Sequence, residues 1–229
     1  MLIAGLQKLT LLDYPGKTAC TVFTPGCNFR CPFCHNALLV THKPEDFISE
    51  DEFFSFLNKR QGILDGVCIT GGEPTLQKEL IPFMEKIRAM GFLIKLDTNG
   101  ARPDVLRKVL AKKLADYVAM DIKAAPERYG EAVDIADFDF SEVKESIRIL
   151  EEDCIPHEFR TTVTQELHSE EDFEKILSLF SSDTPYYLQQ FKDSGCLIDE
   201  NSHGWETERM RKLHNSLLKK HGNVHLREG

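Results

Sequence analysis

The chain has 229 residues, 41% of them hydrophobic and 28% charged, which is ordinary for a globular protein. Its net charge of -9 disfavours a general role in binding DNA or RNA. No apolar run approaches the ~20 residues that span a bilayer, and residues 1–6 lack the basic flank of a signal peptide. We therefore expect a cytoplasmic protein with no membrane and no nucleic-acid partner.

Strand patterns alternate with helix patterns along the chain, which predicts a parallel sheet with crossover helices. Strands are predicted at 17–24, 66–70, 93–97, 117–122, 158–164 and 186–190, with a short one at 224–226. Helices are predicted from near residue 49, at 76–90, from near 103, and at 141–151, 169–180 and 206–221. Residues 192–204 are predicted to form a loop.

This order predicts an α/β fold, a partial (β/α)6 TIM-type barrel. We expect a single domain over residues 1–229, with its core at about 17–190 and a C-terminal helix at about 206–221. In such folds the active face lies at the carboxyl ends of the strands.

Three cysteines follow the first predicted strand with the spacing C-x3-C-x2-C: Cys27, Cys31 and Cys34. Three thiols on one loop can converge on a single soft metal centre, and the missing fourth thiol leaves one coordination position open. The other four cysteines are scattered, so we expect one cluster only. The residues alone also allow a zinc knuckle that borrows His35.

Polar residues follow the next three predicted strands: Gly71-Gly72-Glu73-Pro74, then Asp97-Thr98, then Asp121 with Lys123. Paired glycines let a ligand approach the backbone, and Glu73 beside them can accept a hydrogen bond from an ammonium group. Asp97 and Asp121 can share a cation through hard oxygen ligands, and Lys123 can meet a carboxylate. Ordinary turns with solvated carboxylates are the alternative.

The cysteine spacing followed by GGEP resembles the radical S-adenosylmethionine (radical SAM) superfamily. The resemblance implies that Cys27, Cys31 and Cys34 hold a [4Fe–4S] cluster whose open iron binds the amino group and carboxylate of S-adenosylmethionine. It also implies that the segment of Gly71, Gly72, Glu73 and Pro74 binds the methionine amino group. Phe33 stands where the family has an aromatic residue whose segment packs on adenine.

The motifs DTNG and D-x-K resemble the glycyl-radical-enzyme activases within that superfamily. This implies that Asp97, Thr98 and Asp121 hold a monovalent cation near the S-adenosylmethionine carboxylate, which Lys123 contacts. Residues 5–17 and 34–39 resemble the activating proteins of anaerobic ribonucleoside-triphosphate reductase. The implied activity is reductive cleavage of S-adenosylmethionine, with flavodoxin or ferredoxin as the reductant, to make a glycyl radical on a partner enzyme.

Some observations leave alternatives open. The sixth strand offers no histidine to reach the nucleoside, although Gln190 can replace its hydrogen bond. Arg160 is a charge within a predicted buried strand, so it either forms a salt bridge or supports the cofactor through another residue. A 7-carboxy-7-deazaguanine synthase keeps the radical chemistry on a purine-like substrate, and a zinc-stabilised binding module is the alternative that is not an enzyme.

Overall fold

The computed structural model describes residues 1–42, 46–193 and 195–228. Within these ranges the chain forms eight strands and eight helices. All eight strands belong to one sheet, and their order in the sheet follows their order in the chain. The predicted α/β class is confirmed.

The strands are β1 (Gly5–Thr10), β2 (Ala19–Thr24), β3 (Gly66–Gly71), β4 (Leu93–Thr98), β5 (Tyr117–Asp121), β6 (His157–Val163), β7 (Tyr186–Gln190) and β8 (Val224–Arg227). The helices are α1 (Ala37–Thr41), α2 (Glu50–Asn58), α3 (Leu80–Ala89), α4 (Pro103–Ala111), α5 (Tyr129–Val133), α6 (Ser141–Glu152), α7 (Glu170–Leu177) and α8 (Thr207–Leu218). Short 3-10 turns lie at Pro74–Leu76 and Pro126–Arg128.

The chain divides into two compact units. The N-terminal unit comprises Met1–Asn28, Leu38–Thr98 and Asp104–Val118. In it β2, β3 and β4 pair in parallel, and β1 pairs antiparallel with β2. Most residues of β2 and β3 are buried, as expected for parallel strands covered on both faces.

The C-terminal unit comprises Phe29–Ala37, Asn99–Pro103 and Ala119–Gly229. Here β6, β7 and β8 pair in parallel, and α8 packs on β8. Tyr129 is fully buried in an aromatic group with Phe29, Phe138 and Phe140. This group anchors the segment that carries the second and third cysteines of the motif, since Phe29 lies two residues before Cys31.

Four elements differ from the sequence prediction. Strand β1 and helices α1 and α5 were not predicted. Helix α3 begins at Leu80 because the 3-10 turn after β3 occupies the residues before it. The described part of 192–204 holds no helix or strand beyond a single bridge at Gly204, and Ser194 lies outside the described residues. The single-domain assignment stays a prediction.

Candidate functional site

The start of the cysteine loop is fixed by backbone hydrogen bonds inside the N-terminal unit. Gly26 N donates to Leu39 O at 2.7 Å, and Glu73 N donates to Gly26 O at 2.8 Å. The side chain of Gln77 adds a bond to Pro25 O at 2.9 Å. Cys27, the next residue, is partly exposed and is not in a disulfide. Its backbone position is therefore set by the segment that follows β3.

Gly71 and Gly72 allow this close approach of two backbones. Gly71 has φ +118, and a Cβ atom there would lie 2.5 Å from Thr24 O. A Cβ atom on Gly72 would lie 2.6 Å from the carbonyl carbon of Gly26 and closer still to its oxygen. Gly72 is thus required by the packing of the cysteine loop and Gly71 by its close contact with the end of β2. The contact of either glycine with a ligand stays a prediction.

The Glu73 carboxylate is buried, with 1% of the residue exposed. Its Oε1 accepts hydrogen bonds from Thr75 N at 3.0 Å and from the Thr98 hydroxyl at 2.8 Å. Pro74 begins the 3-10 turn that this carboxylate caps. Glu73 is therefore held rigidly by its own unit, and Thr98 acts as a hydrogen-bond donor to it.

Asp97 forms an ion pair with Lys95, a residue the sequence prediction did not single out. Lys95 lies in β4 and is 2% exposed, and the Cys68 thiol is 3.9 Å from its Nζ and 3.8 Å from Asp97 Oδ1. Residues two apart in a strand point to the same face, which brings these two charges together. The sequence signal that could have pointed to Lys95 is its position between Ile94 and Leu96 in a predicted buried strand.

The second and third cysteines belong to the C-terminal unit. Cys31 is buried and Cys34 partly buried, and a turn joins them through Cys34 N and Cys31 O at 3.1 Å. Burial raises the pKa of the Cys34 thiol, and the nearby Lys123 charge opposes that rise. Phe33 between them is 3% exposed, so its ring belongs to the packing of this loop.

Asp121 lies between two cations. Lys123 Nζ is 2.8 Å from Oδ2, and Arg160 Nε is 2.8 Å from Oδ1. Burial opposes ionisation of Asp121, but Arg160 and Lys123 outweigh it and hold its pKa far below the ordinary range. Burial likewise opposes the charge of Lys123, but Asp121 and Cys31 raise its pKa well above the ordinary value. Arg160 is therefore salt-bridged.

The end of β7 opens on a cavity of about 480 Å³ in the C-terminal unit. Gln190, the residue proposed to replace the missing histidine, donates to the Thr207 hydroxyl at 3.0 Å. Acidic and aromatic residues contribute to the cavity wall: Asp193, Glu200, Glu206, Phe191 and Trp205. The His35 ring stacks on Phe191, with centroids 5.5 Å apart.

The donor set of the motif suits an iron–sulfur cluster. None of the three cysteines is in a disulfide, so each offers the thiol sulfur that such clusters take as a ligand. Across residues 1–42, 46–193 and 195–228, no three or more Cys, His, Asp or Glu side chains form a group that could hold a metal ion. The convergence of the three thiols on one centre stays a prediction.

Comparisons with known proteins identify the family. Residues 21–180 match the model of the radical SAM superfamily. The chain belongs to that superfamily, whose members use a [4Fe–4S] cluster and S-adenosylmethionine. It is an enzyme of this family, which removes the zinc-stabilised binding module from consideration.

Two relatives indicate the branch. A protein of Methanocaldococcus jannaschii, provisionally named a glycyl-radical enzyme activating enzyme, is 34% identical over 206 residues, covering 87% of this chain and 83% of the relative. A 7-carboxy-7-deazaguanine synthase of Koribacter versatilis is 31% identical, covering 82% of this chain and 79% of the relative. The predicted superfamily and its activase branch are confirmed, while both substrate classes remain among the relatives.

Solved structures confirm the fold. SuiB of Streptococcus suis, bound to the precursor peptide SuiA, matches with a TM-score of 0.70 at 11% identity. That match covers 91% of this chain, which spans about half of the SuiB chain (48%). The predicted partial (β/α)6 TIM-type barrel agrees with such matches. In the part of the chain that is described, no helix is long and apolar enough to cross a membrane.

Proposed function

We propose that this enzyme activates a glycyl radical enzyme, and that its partner is anaerobic ribonucleoside-triphosphate reductase. The observation that carries the proposal is the 34% identity to the Methanocaldococcus activating enzyme over 87% of the chain. The motifs DTNG and D-x-K support the same branch. The cytoplasm is the proposed location, and flavodoxin or ferredoxin the proposed reductant.

When bound, the cluster and S-adenosylmethionine supply the reductive cleavage that yields methionine and a 5′-deoxyadenosyl radical, which removes a hydrogen atom from the partner's glycine. The role of the chain is to hold these groups and to exclude competing reactions. Cys27, Cys31 and Cys34 are the proposed cluster ligands. Gly26 and Gly72 fix the first of them through the backbone contacts described above.

Glu73 is the proposed acceptor for the methionine ammonium group. Its rigid support by Thr75 and Thr98 suits that role, because a preorganised acceptor loses little freedom on binding. Lys123 is the proposed contact of the methionine carboxylate. Lys123 is held at the end of β5 by its 2.8 Å ion pair with Asp121, and an ammonium group fixed in this way suits an anionic ligand. Phe33 supports the adenine-binding segment by its packing.

The test uses anaerobically reconstituted protein with S-adenosylmethionine, a reductant and anaerobic ribonucleoside-triphosphate reductase. We expect the doublet electron-spin signal of a glycyl radical on the reductase, and none with the Cys31→Ala variant. A cluster-loaded protein that cleaves S-adenosylmethionine but never produces this signal contradicts the choice of partner. Other glycyl radical enzymes tested in parallel then show whether the activase class itself holds.

A second candidate is a 7-carboxy-7-deazaguanine synthase, favoured by the 31% identity to the Koribacter enzyme. Magnesium and a pterin-type substrate replace the partner protein in its assay. Formation of a deazaguanine product, with no glycyl radical on any partner, identifies this function. Both assays use the same reconstituted protein. A failed reconstitution therefore gives a negative result in both assays and favours neither function.

A further inference from the structure

Lys95 is a buried charge that the proposed chemistry does not use. Its ammonium group lies beneath the end of β4, paired with Asp97 and close to the Cys68 thiol. Burying a lysine among apolar strand residues is costly unless it neutralises another charge. The pair with Asp97 supplies that neutralisation inside the N-terminal unit.

The activase resemblance implies a monovalent cation on Asp97, Thr98 and Asp121, and the described contacts do not fit that group. Asp97 already has the Lys95 ammonium on its carboxylate. Thr98 directs its hydroxyl proton to Glu73 at 2.8 Å. Asp121, considered within its own unit, is neutralised by both Lys123 and Arg160.

We infer that the Lys95 ammonium group replaces the monovalent cation, so that Asp97 is held by a charge built into the chain. An ammonium group resembles K⁺ in charge and size, and its N–H donors replace metal coordination of the carboxylate. Lys95 is thus a positioning residue that acts through Asp97. The expectation that S-adenosylmethionine binding does not depend on K⁺ rests on the proposed function. The expectation that the wild type binds no monovalent cation at Asp97 does not.

The experiment compares the reconstituted 229-residue chain in KCl, NaCl and tetramethylammonium chloride at equal ionic strength. For the wild type we expect the dissociation constant of S-adenosylmethionine and the Tm to be the same in all three salts. We also expect no stoichiometric binding of thallium(I), the spectroscopic substitute for K⁺. A wild type whose affinity rises about tenfold with K⁺, or which binds thallium(I), overturns the inference.

Lys95→Met removes the charge and keeps much of the side-chain volume. We expect its Tm to fall by roughly 6–20 °C in tetramethylammonium. We expect K⁺ to restore part of that loss and thallium(I) to bind one per chain. Lys95→Arg keeps the charge and replaces the methionine variant in the test if that variant does not fold. Its Tm and its affinity for S-adenosylmethionine should not depend on K⁺. Salt-independent behaviour of Lys95→Met, with no thallium(I) bound, also overturns the inference.

The matched control is Lys112→Met, which removes an exposed lysine paired with Glu85 in the same unit. A surface pair contributes little to stability, so this variant should behave as the wild type in every salt. If no variant binds S-adenosylmethionine in any salt, the proposed function fails. Thallium(I) binding and the salt dependence of Tm still decide the role of Lys95.

Discussion

Replacing Gly72 by alanine should displace the first cysteine of the motif. The added Cβ would lie 2.6 Å from the carbonyl carbon of Gly26, whereas side-chain carbons almost never come within 3.0 Å of such an atom. Both neighbours are backbone, so no flexible side chain can move aside. The two segments must separate, which weakens the 2.8 Å hydrogen bond from Glu73 N to Gly26 O.

The expected cost follows from two contributions. Forcing an extra carbon into packed surroundings costs about 1–3 kcal/mol, and a weakened hydrogen bond adds roughly 0.5–1.5 kcal/mol. We therefore expect the Gly72→Ala variant to lose about 2–4 kcal/mol in free energy of unfolding. Because Cys27 follows Gly26 directly, we also expect reconstitution to load less iron and sulfide per chain.

The assays are denaturant unfolding of the cluster-free chain and iron and sulfide analysis after anaerobic reconstitution. Gly222→Ala is the matched control, since nothing lies within 4 Å of the atom it adds and its φ is not in the left-handed region. A Gly72→Ala protein with the stability and iron content of the control would refute the packing role of this glycine.

Three further predictions test other parts of the site and the fold. Thr98→Val should weaken S-adenosylmethionine binding by roughly tenfold, because it loses the 2.8 Å hydrogen bond to Glu73. Thr98→Ser keeps the hydroxyl and should bind with the wild-type affinity, as measured by calorimetry. Equal affinity of both variants would argue against a role of this hydrogen bond in binding. Cys31→Ala should abolish S-adenosylmethionine cleavage under dithionite, and metal analysis should find iron, not zinc, in the wild type; cleavage by the variant would contradict the cluster ligand set. Burial opposes ionisation of Glu151, but hydrogen bonds, among them one from Thr184 at 2.6 Å, lower its pKa. A carboxylate with a lowered pKa stabilises the fold at pH values above its pKa in the unfolded chain, and this stabilisation is lost on acidification. Between about pH 5 and pH 3 the wild-type Tm should therefore fall more steeply than that of Glu151→Gln. Parallel curves of Tm against pH would contradict that reasoning.

The strands that carry the site were predictable because buried parallel strands form continuous apolar runs. The run Val67-Cys68-Ile69 in β3 is of this kind, and the strand ends at Gly71, one residue beyond the predicted end. Strand β1 was missed since Gln7, Lys8 and Leu9 are exposed and show no regular apolar alternation. Pairing with β2, a tertiary contact, decides its conformation.

The residue types of the site could be read from the sequence, but their contacts could not. The two glycines suggested a ligand, whereas the structure shows that the end of β2 requires Gly71 and the cysteine loop requires Gly72. Arg160 left two roles open; its 2.8 Å bond to Asp121 shows the salt bridge, and an indirect contact to the cofactor stays a prediction. Lys95 was overlooked because a charge in an apolar strand becomes meaningful only with its partner, Asp97, in view.

The most direct test of glycyl radical formation follows the hydrogen atom itself. The reductase is prepared with glycine deuterated at Cα and incubated with the reduced, cluster-loaded enzyme and S-adenosylmethionine. We predict that one deuterium appears in 5′-deoxyadenosine by mass spectrometry. The unlabelled reductase should give an electron-spin doublet, because the remaining α-hydrogen splits the signal. In the deuterated reductase this doublet should collapse. Unlabelled 5′-deoxyadenosine with no radical on the reductase would contradict the proposal.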